Sequence, residues 1–407
     1  MTNRATGRAV GRGAAITRAC AAILGITAVW AGFEVAMGDD PSARATPTHV
    51  VIAYNDLGMH CMQRDFSRLL ILPPYNTVQA VVIQRGNNPD IVREGGSDYS
   101  LDYTIPSNTR SADKTNWWIY QEALLGLTTP PDIGLAGNGL SGQLHPLGDG
   151  RWDVVGIPIT PLNDMGIDDP YPLATLTLRA QGTVVAKTQT VVPVSWEISC
   201  SICHTEPGVP VELDILRDHD RLHGTTLEAN QPSFCAGCHA DPALGAPGQP
   251  GISTFSSAMH GAHASRLNLL PPDFDNACYS CHPGQRALCQ RDVHSANGVV
   301  CVDCHGSMAD VGDPARTPWV DEPRCVTCHA RPGFDFEQPG QLYRNSFGHG
   351  GVACFACHGS PHAMTPAVTE RDNLQSIRLQ GSAGPLNQCI VCHTVQPEDS
   401  FFHSVED

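Results

Sequence analysis

"HGGVACFACHGSPHAM", residues 349–364, sets three histidines and two cysteines in one short stretch. Nitrogen and sulfur donors at that density are there to hold something. The centre of the stretch, C-x-x-C-H, returns six more times, and what it holds decides how the second half of the chain folds. The seven copies are CSICH (200–204), CAGCH (235–239), CYSCH (278–282), CVDCH (301–305), CVTCH (325–329), CFACH (354–358) and CIVCH (389–393).

The spacing has a mechanical reason. On one helical turn, residues i and i+3 face the same side. The pairs Cys200/Cys203, Cys235/Cys238, Cys278/Cys281, Cys301/Cys304, Cys325/Cys328, Cys354/Cys357 and Cys389/Cys392 can therefore each form two thioethers to one haem edge. The histidine that follows, His204, His239, His282, His305, His329, His358 or His393, then reaches the iron as proximal ligand; this is the c-type haem attachment pattern. A zinc site needs only C-x-x-C, with its other ligands at variable distance. Zinc gives no reason for a histidine directly after the second cysteine seven times out of seven, and a thioredoxin-like pair would occur once. Seven covalent haems c are expected.

Of 18 histidines, eleven remain. Eight of these lie among the motifs: His219, His223, His260, His263, His294, His349, His362 and His403. They are the candidates for seven distal positions. A haem with two axial histidines suits one-electron transfer and has no open site. Met259, Met308 and Met364 read as packing. Motif starts lie 35, 43, 23, 24, 29 and 35 residues apart, so neighbouring haems must be close, most of all those starting at Cys278, Cys301 and Cys325.

Outside the motifs the chain divides in two. Residues 39–198 carry β-branched, partly alternating runs at 48–54, 75–84, 99–105, 173–179 and 183–198, with Pro/Gly-rich turns such as 134–150 between them. They predict a β-rich, sandwich-like domain that serves partner docking. Residues 199–407 have few apolar runs and predict a mainly α/coil multihaem cytochrome c domain with little regular secondary structure, in which porphyrins make up the apolar core. The composition, 25 basic and 41 acidic residues with net charge −16, argues against nucleic acid and anionic lipid. Residues 1–38 read as a Sec-type signal peptide: Arg4, Arg8, Arg12 and Arg18 precede the apolar 19–33 and a small-residue cleavage site after Gly38. A periplasmic or extracellular location is expected. In such a compartment Cys61 and Cys289, the other cysteines of the mature chain, could pair as a disulfide. The soft donors of Met59-His60-Cys61-Met62 invite comparison with a copper site, and His60 with a further distal ligand.

With these residues in view, 199–407 resembles bacterial multihaem c-type cytochromes of the extracytoplasmic electron-transfer type. MHGAH (259–263), CYSCHPGQRALCQRDVH (278–294) and CVDCHGSM (301–308) resemble parts of a multihaem group in which a YNDLGMHCM segment (54–62) is followed by ILPPYNTVQA (71–80). The resemblance implies electron transfer in the periplasm or at the cell surface. The expected partners are a quinol dehydrogenase or other cytochromes, in an outer-membrane or cell-surface assembly, with homo-oligomers open. A non-enzymatic carrier is the first expectation. The first alternative is a multihaem reductase or oxidase of a small inorganic nitrogen or sulfur compound, which needs one open haem. Its known route through lysine in place of a proximal histidine is closed here, because the last lysine is Lys187. The second alternative is a polymerising filament subunit, hinted at by the surplus histidine.

Overall fold

The β-branched runs fold as strands nearly where they stand in the sequence. A computed structural model describes residues 47–96, 98–270, 276–332, 337–338, 340–398 and 403; the expected signal peptide, 1–38, lies outside the described residues. The strands are β1 (His49–Asn55), β2 (His60–Cys61), β3 (Leu69–Leu70), β4 (Asn76–Gln84), β5 (Asp90–Ile91), β6 (Tyr99–Thr104), β7 (Ser141–Pro146), β8 (Arg151–Ile157), β9 (Leu173–Ala180), β10 (Thr183–Val191), β11 (Val194–Ser195) and β12 (Ser233–Phe234). One antiparallel sheet runs β1-β4-β8-β7-β6-β9-β10, with β5 on the side of β4. It curves until β10 lies beside β1. The β-rich expectation stands, but one nearly barrel-like sheet replaces the sandwich-like arrangement. β7 explains the difference. It pairs with β6 from Ser141 to Leu144 and with β8 at His145 and Pro146, and so joins what would have been two sheets. It falls within the stretch 134–150 expected to be a turn.

The seam between β1 and β10 carries no strand pairing, and a side chain bridges it. The Gln375 amide donates to the Ala53 carbonyl (2.9 Å) and accepts from the Ala53 N–H (2.8 Å), as a neighbouring strand would. The same oxygen accepts from the Thr188 hydroxyl on β10 (2.8 Å). Unpaired edge groups are thereby satisfied without closing the barrel.

β1 is buried along its whole length, and alternation of side chains explains why. Val51 and Ala53 point into the barrel with Val78, Leu101, Trp152 and Leu176. Val50, Ile52 and Tyr54 point outward, where they pack with Ile83, Phe355 and Val391. The sheet's outer face is thus the floor for the motifs at 354–358 and 389–393. Residues Thr46–Asp407 form one compact unit.

The remainder is short helices and turns: α1 (Trp117–Leu125), α2 (Val211–His223), α3 (Phe255–Ala264), α4 (Val293–Ala296), α5 (Cys301–His305), α6 (Met308–Val311), α7 (Val326–His329), α8 (Cys354–His358) and α9 (Glu370–Gln380). α1 belongs to the strand half, where Trp117 stands edge-on to Phe66. β12 pairs with β3 and runs directly into Cys235, so the second motif is also pinned to the strand half. Among the described residues no helix is long and apolar enough to cross a membrane.

Candidate functional site

Each motif makes a single helical turn. Three are the α-helical turns α5, α7 and α8; four are 3-10 turns at Cys200–Ile202, Cys235–Gly237, Ala277–Ser280 and Cys389–Val391. In the four 3-10 turns, and in α7, the histidine N–H donates to the carbonyl of the first cysteine at 2.8–3.1 Å. That bond turns the backbone once and places the two cysteines on one side, as the spacing requires. A lone turn is too short to hold itself together, so its surroundings must fix it. Asn276 caps the third by accepting from the Cys278 N–H (3.0 Å). Asp303 reaches back to the Val300 N–H (2.8 Å) on the fourth. On the fifth, the Cys325 N–H donates to Glu337 (3.0 Å).

All fourteen motif cysteines carry free thiols, with no disulfide inside any motif. Cys238 Sγ accepts from the Gln249 side-chain amide at 3.2 Å. The reason is local. The loop after the second motif folds back on it, and the Gln249 N–H donates to the Cys238 carbonyl at 2.8 Å, which brings the amide over the sulfur. Its partner Cys235 has no such contact; burial pushes that thiol up to about 12. Cys389 Sγ likewise accepts from Gln396, at 3.3 Å.

Six motif histidines face a second imidazole. Ring centres stand 6.3 Å apart for His239 and His219, 6.1 Å for His282 and His260, and 6.0 Å for His329 and His294. They stand 6.0 Å apart for His305 and His362, 6.2 Å for His393 and His349, and 5.8 Å for His358 and His403. Two metal–nitrogen bonds of about 2 Å each, plus the half-widths of two rings, also come to roughly 6 Å. The spacing therefore fits one metal ion between each pair.

The ring orientations agree with that fit. Nδ1 is tied to the chain, which leaves Nε2 for a metal. His239 Nδ1 donates to the Ser253 carbonyl (2.9 Å) and His393 Nδ1 to the Asn87 carbonyl (3.0 Å). On the opposing side, His260 Nδ1 donates to Ser256 O (2.7 Å), and His294 Nδ1 meets Asp292 Oδ2 (2.8 Å). His219 Nδ1 meets the Thr225 hydroxyl (2.8 Å), which spends its own proton on Asp220. Burial holds His282, His305 and His358 down to about 4, and lowers His219, His260 and His362 as well. These imidazoles are neutral at neutral pH, the form that binds a metal.

The remaining motif histidine, His204 of the first motif, is placed otherwise. Its Nδ1 faces Asp218 Oδ2 at 3.6 Å and Asp214 Oδ2 at 3.8 Å, both on α2. Of the eight distal candidates, His219, His260, His294, His349, His362 and His403 oppose a motif histidine. His223 lies beside His219 with ring centres 4.8 Å apart, and His263 ties its Nδ1 to Met259 O at 2.6 Å.

In the strand half, His49 uses both nitrogens, on Thr48 and Tyr99. His60 puts Nε2 on Asp56 at 2.6 Å. It also lies with Cys61 on β2, where successive side chains point to opposite faces, so the 59–62 run does not converge on one ion. Cys61 and Cys289 are both thiols here, within electrostatic reach of each other, and burial raises both.

The motifs form a series. The Cys278 and Cys301 thiols share a hydrogen bond. Electrostatic contact links Cys203 to Cys281, Cys304 to Cys328, His329 to His358, and Cys357 to Cys392. The order is thus first, third, fourth, fifth, sixth, seventh. The second joins through α2, which carries His219 as well as Asp214 and Asp218, and through α3, whose Phe255 meets His239.

Sequence reasoning missed the residues that aim these rings. His362, with φ +62°, lies in the left-handed region. Its ring bonds to the Leu57 backbone, and the Ser360 hydroxyl donates to the Asn55 carbonyl (2.6 Å). Gly58, at φ +79°, is pressed so close that a Cβ would stand 1.7 Å from the Pro361 carbonyl oxygen. The YNDLGMHCM segment thus buttresses His362. Its glycine was the available signal, since a Gly at positive φ marks a close backbone approach.

The family model described as "Cytochrome c554 and c-prime" matches residues 308–359, a span that contains the fifth motif and the sixth up to its histidine. No curated protein and no solved structure matches the chain. The match supports a c-type cytochrome, with haem c as the group held and electron transfer as the function.

Proposed function

We propose that the chain is a heptahaem c-type cytochrome that carries electrons in the periplasm or at the cell surface. In this reading Cys200/Cys203 through Cys389/Cys392 attach the haems and the histidine after each pair is the proximal ligand. His219, His260, His294, His349, His362 and His403 are six distal ligands. The observation that carries it is the set of six facing imidazole pairs, 5.8–6.3 Å between ring centres. Zinc, thiol redox chemistry or chance gives no reason for that spacing to recur beside six C-x-x-C-H turns.

Haem c supplies a one-electron iron couple. The chain's own residues do the rest. Anchored Nδ1 atoms fix each ring and leave a neutral Nε2 as donor. Two axial imidazoles favour low potentials relative to an imidazole–thioether set. The contacts between successive motifs set a continuous path, with the first and second motifs at one end and the seventh at the other. The seventh lies against the sheet, where Arg85 donates to the Ile390 carbonyl (2.6 Å) and Thr394 to Asn87 (2.8 Å). An electron donor such as a quinol dehydrogenase or another cytochrome would meet one end of that series.

Substituting the distal residues one at a time tests the assignment. His349→Ala should convert one low-spin haem in seven to a species that binds carbon monoxide when reduced, leaving the other six unchanged. If low-spin signals are unaffected by substitution at all six positions, the ligand set is wrong.

A further inference from the structure

We propose that the haem attached at Cys200 and Cys203 is the one with an exchangeable sixth position, where a small inorganic molecule with a donor lone pair binds. Carbon monoxide and nitric oxide on reduced iron are of that class. The proposal rests on the haem reading above and concerns its one exception.

All 18 histidines are among the described residues, so they can be accounted for. Seven are motif histidines and six oppose them. His49 and His60 spend their Nε2 on Tyr99 and Asp56. His145 is on β7 opposite Asp153, within the sheet. His223 lies beside His219 with ring centres 4.8 Å apart and planes tilted by 50°, too close for a metal between the two rings. His263 shares α3 with His260, and among the described residues no imidazole stands in ring contact with His204.

A positive feature sets His204 apart as well. The only cluster among the described residues that gathers three His, Cys, Asp or Glu donors is His204, Asp214 and Asp218. The two carboxylates sit at i and i+4 on one face of α2 and face His204 Nδ1 at 3.8 and 3.6 Å, while the Nδ1 atoms of the motif histidines His239 and His393 donate to neutral carbonyls; among the opposing histidines, His294 has a carboxylate, Asp292, behind it. Asp214 is itself buried and accepts from the Glu206 N–H (3.3 Å), so it is held in place. A carboxylate behind an imidazole fixes the ring and makes it a stronger donor to the metal. An iron held from one side by a strong donor is suited to an exchangeable partner on the other. Asp214 and Asp218 are positioning residues in this scheme.

The holoprotein tests it without any assay of turnover. Intact mass first establishes seven attached haems; a shortfall sinks the haem reading and this proposal together. With seven present, the oxidised protein should show one high-spin haem in seven, and the reduced protein should bind one carbon monoxide per chain. His223→Ala and His263→Ala should leave both values unchanged. Asp214→Asn with Asp218→Asn should lower the iron–histidine stretching frequency of that haem alone and raise its potential. Seven low-spin haems that bind no carbon monoxide would overturn the proposal, most clearly if His263→Ala then opened one. An unmoved stretching frequency in the double variant would remove the role given to the carboxylates.

Discussion

The two halves of this chain are built from different materials. The strand half encloses Trp117, Trp152, Tyr103, Leu101 and Leu144, all nearly inaccessible. Beyond residue 198 the buried apolar side chains are mostly alanines, with Leu216, Phe355 and Val391 the larger ones. Each fully buried Leu, Ile or Phe contributes roughly 1.5–3 kcal/mol, so the first half has a core of its own and the second does not. A chain short of apolar burial needs another source of order. In the proposed reading the sources are covalent attachment at seven turns and a few polar ties to the sheet.

Those ties are specific. Arg291 is buried, chelates Asp372 through Nε (2.7 Å) and Nη2 (2.9 Å), donates to the Gly58 carbonyl (2.5 Å), and lies over Tyr171 at 4.8 Å. Glu197, at the end of the strand half, accepts four N–H groups from Gly284 to Ala287 at 2.7–3.4 Å, just after the third motif. Gln375 bridges the barrel seam.

The largest effect should come from withholding the haems. Chain made without covalent attachment should keep slow hydrogen exchange in β4, β8 and β9 and lose it across residues 199–398. Equal protection in both halves would erase the contrast. Next is Arg291→Met, which strands Asp372; breaking a buried pair in this way costs about 3–5 kcal/mol, read as a lowered denaturation midpoint. Gln375→Leu should cost about 2 kcal/mol by leaving the Ala53 N–H and carbonyl unpaired, with faster exchange of the Ala53 amide as its local sign. The smallest effect is one of pH. Burial pushes the Glu197 carboxyl up, but its four N–H donors outweigh that and hold it below the usual glutamate range. Its contribution is therefore complete above the ordinary glutamate pKa and is lost as pH falls through the lowered folded value. Glu197→Gln should flatten that acid limb of the stability curve.

Much of the strand half is legible in sequence because β-branched runs record which face is buried. β1 reads as continuously apolar because it is covered on both sides. β7 was not legible: Ser141-Gly142-Gln143 has turn composition, and pairing with both neighbours overrides it. The C-x-x-C-H turns are legible in full, since the spacing carries its own geometry. The opposing rings are not legible either. The partner precedes its motif in four cases, as His219 does His239, and follows in two, as His362 does His305. No fixed offset encodes them; the fold does, through carbonyls such as Ser253, Ser256 and Asn87. The exception at His204 is invisible without α2 beside it.

The most direct measurement is the intact mass of the purified protein after denaturation, taken together with its haem absorbance. The account predicts seven haems that stay with the polypeptide when it unfolds. A colourless chain, or pigment that separates from the protein on denaturation, would contradict it.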